Sequence, residues 1–368
     1  MKITYDYSIF SNQDYGGISR YYFELINNLS RYENLELDIV APFFKNEYIN
    51  KGFNSSQIKI HGFKVPNPLC QLNRFRNLLN RLIQPGIISK IQPDVIHETD
   101  YLPNKRYRLN VPVVVTVYDL IHELFASYFP PMEKSLWAKK ASLSRADHII
   151  CISNNTKSDL QKFYDIPDEK ISVIYLGTEL AEFHLTRKLA YRRPFFLYVG
   201  SRGVYKNFDR MLRAFANSKM LRSDLALIIF GGGELTVKEL SLINDLGLND
   251  RIEYLSGGDA LLAELYSTAE FFIYPSLYEG FGIPPLEAMK LGCPVICSNT
   301  SSLPEVVGNA ALLVDPYSIE SLQLSMEMVL SDIDLRRRLI LLGRKRSEKF
   351  SWGMCASQTL DIYKKFAT

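Results

Sequence analysis

FFLYVGSRGVYKNFDRMLRAF, residues 195–215, reads as one strand, one loop and one helix. The apolar run FFLYVG has strand character, the SRG turn breaks it, and a helix begins near Asn207. Short apolar runs alternate with helical patterns in both directions from this unit, the signature of βαβ units and parallel sheets. Downstream lie strands ALIIFGG, RIEYLS, FFIYPS, PVICSN and ALLVD, separated by helices near 236–246, 259–269, 284–291 and 318–330. Upstream lie ITYDYSIF, LELDIVAPF, DVIHE, VPVVVTVYD, HIICIS and ISVIYLG, with helices near 18–31, 69–90, 132–145 and 154–164. The charged stretch LTRKLAYRRP (185–194) ends in proline and reads as the linker. The expected fold is therefore α/β, with two Rossmann-like domains facing a central cleft. Ligands of open α/β sheets bind beyond the carboxyl ends of the strands, so the site is expected there.

Composition bounds the function. A chain of 368 residues with 47% hydrophobic content can bury two cores. Net charge is +3, and both halves are balanced: residues 1–185 carry 21 basic and 20 acidic side chains, the remainder 22 and 20. That pattern gives no nucleic-acid footprint. The five cysteines, Cys70, Cys151, Cys293, Cys297 and Cys355, form no CxxC pair and read as reduced core thiols. MKITYDYSIF starts on a strand pattern without a signal-peptide layout, and no 18-residue apolar run occurs, so a cytoplasmic location is expected.

The chemistry concentrates in YEGFGIPPLE, residues 278–287. Pro284 and Pro285 suit a first helical turn, placing Glu287 within that turn and Glu279 on the turn before it. Gly280 and Gly282 let backbone N–H groups approach a ligand, and a helix N-terminus favours phosphate. Arg202 and Lys206, between strand and helix, point cations at the same region. Gly16 and Gly17 precede the helix ISRYYFELINNL and offer further backbone donors. The plain alternatives are a carboxylate complementing its helix dipole, solvated loop charges and an ordinary glycine turn.

GGISRY, VGSRGVYKNFDRMLRAF and YEGFGIPPLEAMKLGCPVICSN together resemble the retaining glycosyltransferases of family 4, which have the GT-B fold. The resemblance spans nearly the whole chain and is strongest over 195–315. It implies an N-terminal acceptor-binding domain (1–188), a C-terminal donor-nucleotide domain (189–351) and a final helix (352–368) crossing back to the first domain. It implies that Glu287 accepts hydrogen bonds from the donor ribose. Glu279 and the backbone of Gly280, Phe281, Gly282 and Ile283 would meet the transferred sugar and the phosphates. Arg202 and Lys206 would replace a metal at the diphosphate, with Gly16, Gly17 and Gly200 beside it. Leu255 and Ser256, closing RIEYLS, would meet the base; GGGE (231–234) reads as a tight turn near the nucleotide.

TVYDLIHELFASYFPP resembles the family loop that often carries a His-Asp pair, but Tyr118 stands in the histidine position. Asp119 is kept and His122 lies three residues on, both candidates near the reacting groups. Tyr118, Asp119, His97 and Asp100 are the acceptor candidates. LCQLNRFRNLLNRLI (69–83) spaces Leu72, Phe75, Leu78, Leu79 and Leu82 along one face, with Arg74, Arg76 and Arg81 interleaved. It reads either as a helix packed on its sheet with a basic outer face or as a peripheral contact with anionic lipid on the inner face of the membrane. The resemblance implies a metal-independent retaining transferase that moves a hexose from a UDP- or GDP-sugar, UDP favoured, to a saccharide or lipid-linked saccharide, with no other cofactor. The rival readings are a sugar-nucleotide epimerase and a catalytically silent partner subunit.

Overall fold

Among the described residues of the computed structural model every strand pairing is parallel, and the pairings form two sheets. The structure describes residues 1–53, 55–66, 73–103, 110–130, 132–178 and 193–367. The first sheet contains β1 (Lys2–Tyr5), β2 (Glu36–Phe44), β3 (Ile58–Lys64), β4 (Val95–Glu98), β5 (Val113–Val117), β6 (His148–Cys151) and β7 (Ile171–Val173), in spatial order β3-β2-β1-β4-β5-β6-β7. The second contains β8 (Phe195–Val199), β9 (Ala226–Phe230), β10 (Ile252–Leu255), β11 (Phe271–Tyr274), β12 (Val295–Ser298) and β13 (Leu312–Val314), in order β10-β9-β8-β11-β12-β13. Each sheet reverses direction of growth once, between β1 and β4 and between β8 and β11. Such reversals leave a crevice at the carboxyl end of the sheet.

Two compact units hold these sheets: Met1–Gly177 with Trp352–Thr368, and Thr178–Ser351. The boundary expected after residue 188 lies in 179–192, outside the described residues. The helix Trp352–Phe366 belongs to the first unit, where it packs on the helix Gly17–Leu29. Trp352 meets Tyr21 there, with ring centroids 6.1 Å apart, and the Tyr363 hydroxyl lies 3.2 Å from that of Tyr5. In the second unit Phe196 stacks on Phe271 and meets Phe215 edge-on, joining β8, β11 and the helix Phe208–Asn217 into one core. Cys151, Cys293, Cys297 and Cys355 are unpaired and buried, as expected of core thiols; Cys70 is outside the described residues.

Two sequence readings change. β3 was not expected, because IKIHGFK is an edge strand, half exposed, carrying lysines and an interrupting glycine instead of the continuous apolar run of a central parallel strand. The helix Asn73–Ile91 departs further from its pattern. Phe75, Leu78 and Leu82 face outward, while Arg76, Asn80, Gln84 and Ile88 are buried at four-residue intervals. Asn80 explains the inversion. Its amide accepts from Phe43 N–H at 2.8 Å and donates to Phe43 C=O at 2.8 Å, pairing backbone groups where β2 and β3 shift register. Arg76 donates to the Ser11 carbonyl at 2.6 Å. The helix is thus anchored through polar groups, and its apolar stripe is left outside.

Candidate active site

The reversal between β8 and β11 brings together the two loops that the sequence singled out. After β8, Gly200 takes φ +108, and residues Val204–Lys206 form a short 3-10 turn. Asn207 follows at φ 59, a left-handed conformation that asparagine tolerates, and the helix Phe208–Asn217 starts behind it. The Asn207 amide donates to the carbonyls of Pro275 at 3.0 Å and Pro316 at 2.7 Å, while Leu277 N–H donates to Tyr205 C=O at 2.7 Å. The β8 loop is thereby clamped to the segment after β11. Lys206 Nζ then reaches Glu279 Oε1 at 2.7 Å, with both side chains largely buried, and lies over the rings of Tyr205 and Tyr274.

Glu279 is itself held by its backbone. Its N–H donates to Ser301 Oγ at 2.9 Å, and Ser302 Oγ donates to the carbonyls of Glu279 and Phe281, each at 2.8 Å. Ser301 takes φ 54 to allow this. Gly282 has φ +110, and a Cβ there would lie 2.7 Å from Leu303 Cδ2, so this position requires glycine. The helix Ile283–Lys290 opens immediately, with Pro284 in its first turn. Phe281 is buried against Phe350. Glu287 falls one residue beyond the first turn, not within it, and is 4% exposed. It therefore sits deeper than a simple dipole-complementing carboxylate.

Arg202 is placed differently from the sequence expectation. Its side chain is 3% exposed and forms an ion pair with Glu239 at 2.8 Å. It also donates to the carbonyls of Gly231 at 3.1 Å and of Gly233 and Glu234 at 2.8 Å each. Five N–H groups in a planar fork suit this task of gathering a turn, and they leave no guanidinium edge comparable to the free cation that the loop position suggested. Burial raises the Glu239 carboxyl, but Thr236 and Arg202 together pull it below its ordinary value. Glu239 was missed because its role lies in a capping box, Thr236 to Glu239, that a sequence reads only as a helix start.

The GGGE stretch is a tight turn of unusual strictness. Gly231, Gly232 and Gly233 have φ of +72, +74 and +84, and a Cβ on Gly232 would lie 2.2 Å from the Gly200 carbonyl oxygen. Gly200 N–H donates to Phe230 C=O at 2.9 Å, and Gly231 N–H to Leu255 C=O at 3.0 Å. The Leu255 carbonyl is thus already used; Ser256 is the exposed member of that pair.

In the first unit, His97 is removed from the acceptor candidates. It is wholly buried, with Nδ1 at 2.6 Å from the Tyr363 hydroxyl and Nε2 at 2.9 Å from Thr116 Oγ1, and burial lowers its pKa to about 3. Asp100 remains half-buried beyond β4, held by Asn12 at 3.2 Å and by Tyr101 N–H at 2.8 Å; burial raises its pKa. Asp119 accepts from Ile121 N–H at 3.1 Å, just before the short helix Ile121–Leu124, and Tyr118 packs edge-on against Tyr21. His122 lies tilted over Phe129, centroids 4.5 Å apart. Gly16 and Gly17 open the helix Gly17–Leu29; Gly16 has an extended φ of 174, which asks for no glycine, but a Cβ there would lie 2.2 Å from Gln13 Oε1. Gln13 Oε1 accepts from Ser19 N–H at 3.2 Å, taking one of the donors expected to be free. Around Gly17 a side chain would meet nothing within 4 Å. Among the described residues, no group of three or more His, Cys, Asp or Glu could hold a metal ion.

Two family models match in succession: Glycosyltransferase Family 4 over residues 15–182 and Glycosyl transferases group 1 over 184–346. O-antigen chain mannosyltransferase B of Escherichia coli is 31% identical over 377 residues, covering 95% of this chain and 96% of that protein. MMP alpha-(1->4)-mannosyltransferase of Mycolicibacterium hassiacum is 29% identical, covering 74% of this chain and 70% of its own. Among solved structures, sucrose-phosphate synthase from Thermosynechococcus elongatus superposes with a TM-score of 0.79 at 21% identity, over 99% of this chain and 98% of that one. WaaG, a glycosyltransferase of lipopolysaccharide biosynthesis, gives 0.73 at 18% identity over 99% of each chain. This chain belongs to glycosyltransferase family 4 and is a glycosyltransferase with the GT-B fold.

Proposed function

We propose that this chain moves a hexose, with mannose favoured, from a nucleotide-diphospho-sugar to a saccharide or lipid-linked saccharide acceptor in polysaccharide or glycoconjugate synthesis. Transfer proceeds with retention and without a metal ion. The observation that carries the reading is the Lys206–Glu279 pair at 2.7 Å, set at the reversal between β8 and β11 beside a helix N-terminus. Mannose is favoured because two similar proteins are named mannosyltransferases.

In this reading Lys206 neutralises the departing diphosphate, and the N–H groups opening the helix Ile283–Lys290 meet its oxygens. Fixed charges and dipoles of this kind act in a partly desolvated site without having to reorganise. Glu279 orients the transferred sugar, and buried Glu287 accepts from the ribose hydroxyls. Arg202 acts by holding the loops around them. The acceptor hydroxyl attacks on the leaving-group face: its new bond to the anomeric carbon forms as the bond to phosphate breaks, and its proton passes to the departing phosphate oxygen. No side chain need serve as a dedicated base.

The test is product analysis with UDP- and GDP-sugars, with and without saccharide acceptors, in buffer and in chelator. Acceptor-dependent product with the donor's anomeric configuration, formed equally in chelator, is expected. Turnover abolished by chelator overturns the metal-free reading. Conversion of donor without acceptor consumption points to an epimerase, and nucleotide binding without turnover to a silent subunit. The outward stripe of Phe75, Leu78 and Leu82, with exposed Arg74 and Arg81, supports peripheral contact with anionic lipid. Failure to pellet with anionic liposomes removes that contact. Among the described residues, no helix is long and apolar enough to cross a membrane.

A further inference from the structure

The first unit has its own reversal, between β1 and β4, and a pocket of about 380 Å³ opens there. Tyr7 and Ser8, following β1, and Asp100 to Pro103, following β4, supply one side. Buried Asp6 ties the two loops together: Thr99 N–H donates to its Oδ1 at 2.9 Å, and Ser8 Oγ to its Oδ2 at 3.0 Å. The helix Asn73–Ile91 supplies the other side through Arg74, Asn77, Leu78 and Arg81. Arg74 and Arg81 are seven residues apart, about two turns, so they share one side of the helix. Both are exposed, in contrast to Arg76, which is buried on a backbone carbonyl. Among the described residues, neither Arg74 nor Arg81 has an ion-pair partner.

The polar wall between them is already ordered. Asn77 Nδ2 donates to Asn12 Oδ1 at 3.3 Å, and Asn12 Nδ2 donates to Asp100 Oδ2 at 3.2 Å. Asn77 Oδ1 is buried and has no hydrogen-bond partner among the described residues. The pocket therefore offers two guanidinium forks without ion-pair partners and one carboxylate. Guanidinium groups bind phosphate through paired, charge-assisted hydrogen bonds, whereas a carboxylate accepts from sugar hydroxyls.

We propose that this pocket seats an acceptor bearing a phosphate group. Arg74 and Arg81 take the phosphate oxygens, and Asp100 takes a hydroxyl of the attached sugar. The inference rests on the reading of the chain as a sugar transferase, which supplies the need for an acceptor, and it names the chemical class of that acceptor. Phe75 and Leu82, exposed on the same helix, give an alkyl carrier a surface to follow.

The test is calorimetric titration of the full chain with mannose 1-phosphate, methyl mannoside, inorganic phosphate and a mannosyl phosphodiester carrying a dodecyl chain. Mannose 1-phosphate is expected to bind at least tenfold more tightly than methyl mannoside at low salt, with the preference shrinking as salt rises. Combined Arg74→Gln and Arg81→Gln should erase the preference, and Arg74→Lys with Arg81→Lys should keep part of it. A further tightening by the dodecyl chain that Phe75→Ser with Leu82→Ser removes identifies a lipid-borne phosphate. Equal binding with and without the chain identifies a free sugar phosphate. Equal affinity for mannose 1-phosphate and methyl mannoside overturns the proposal, as does a glutamine double variant that keeps the preference. Nucleotide-diphosphate binding to the same unaltered protein is titrated in parallel. If it persists while the phosphate preference is absent, only the acceptor assignment falls; if it too is absent, the transferase reading falls with it.

Discussion

Replacing Arg202 by methionine separates a structural cation from a diphosphate-binding one. In the structure Arg202 is 3% exposed, pairs with Glu239 at 2.8 Å and donates to three carbonyls of the Gly231–Glu234 turn. Breaking one side of a buried pair costs about 3–5 kcal/mol, because the remaining charge and the carbonyls lose their partner. Glu239 keeps its bonds to Thr236 and is partly wetted, which favours the lower end, about 3 kcal/mol. For a domain of this size each kcal/mol shifts Tm by roughly 2–4 °C, so Arg202→Met should lower Tm by about 6–12 °C. Glu239→Met should destabilise similarly, and the double substitution should cost less than the two single costs added together. The Glu239 carboxyl is held below its ordinary value. The pair's contribution is therefore full above the unfolded carboxylate pKa and fades as pH falls through the folded one, so the gap between wild type and Arg202→Met should narrow in acid. Thermal denaturation with nucleotide binding on the same samples is the assay. An unchanged Tm together with a severe loss of turnover would refute the structural role and restore Arg202 as a free cation at the diphosphate.

Lys206→Ala should lower kcat about 10²–10³-fold, beyond the stability it loses by leaving largely buried Glu279 without its cation; steady-state kinetics on the folded variant that show less than a threefold change would contradict this. Gly232→Ala places a Cβ 2.2 Å from the Gly200 carbonyl oxygen at φ +74, so a loss of at least about 1–3 kcal/mol in denaturant unfolding is expected. His97 has a folded pKa of about 3 against 6.5 when unfolded, so the unfolded chain takes up a proton that the folded chain refuses. Its stabilising neutrality is full above pH 6.5 and is lost as pH falls towards 3, at about 1.4 kcal/mol per pH unit. A His97→Gln variant should lose stability less steeply than wild type over that interval; parallel curves would count against the burial argument.

Central strands and their helices were legible because apolar runs buried on both faces and helix-period patterns are local properties. All six strands of the second sheet lie where the sequence places them. β3 escaped because an edge strand in a parallel sheet needs less apolar surface. Loop position marked Lys206 and Glu279 as neighbours of a common site, and the glycine at 282 marked a backbone that no other residue adopts easily. The resemblance in these same segments led to the family, which the matches over both halves established.

What the sequence could not contain is the competition among partners. Arg202 and Lys206 sit in one loop with the same charge, yet Glu239 lies 37 residues beyond Arg202 and Glu279 lies 73 beyond Lys206, and only folding decides which carboxylate each cation meets. The same holds for His97, a strand-end histidine until Tyr363 arrives from 266 residues away to enclose it. It holds for the helix Asn73–Ile91, whose polar side goes inward because Asn80 satisfies backbone groups of β2. The sequence alone determined the α/β layering, the loops that carry the chemistry and the glycines they require, since these follow from periodicity and local backbone sterics. The tertiary structure decided which charges remain available for a ligand, because burial and pairing are set by residues far apart in the chain.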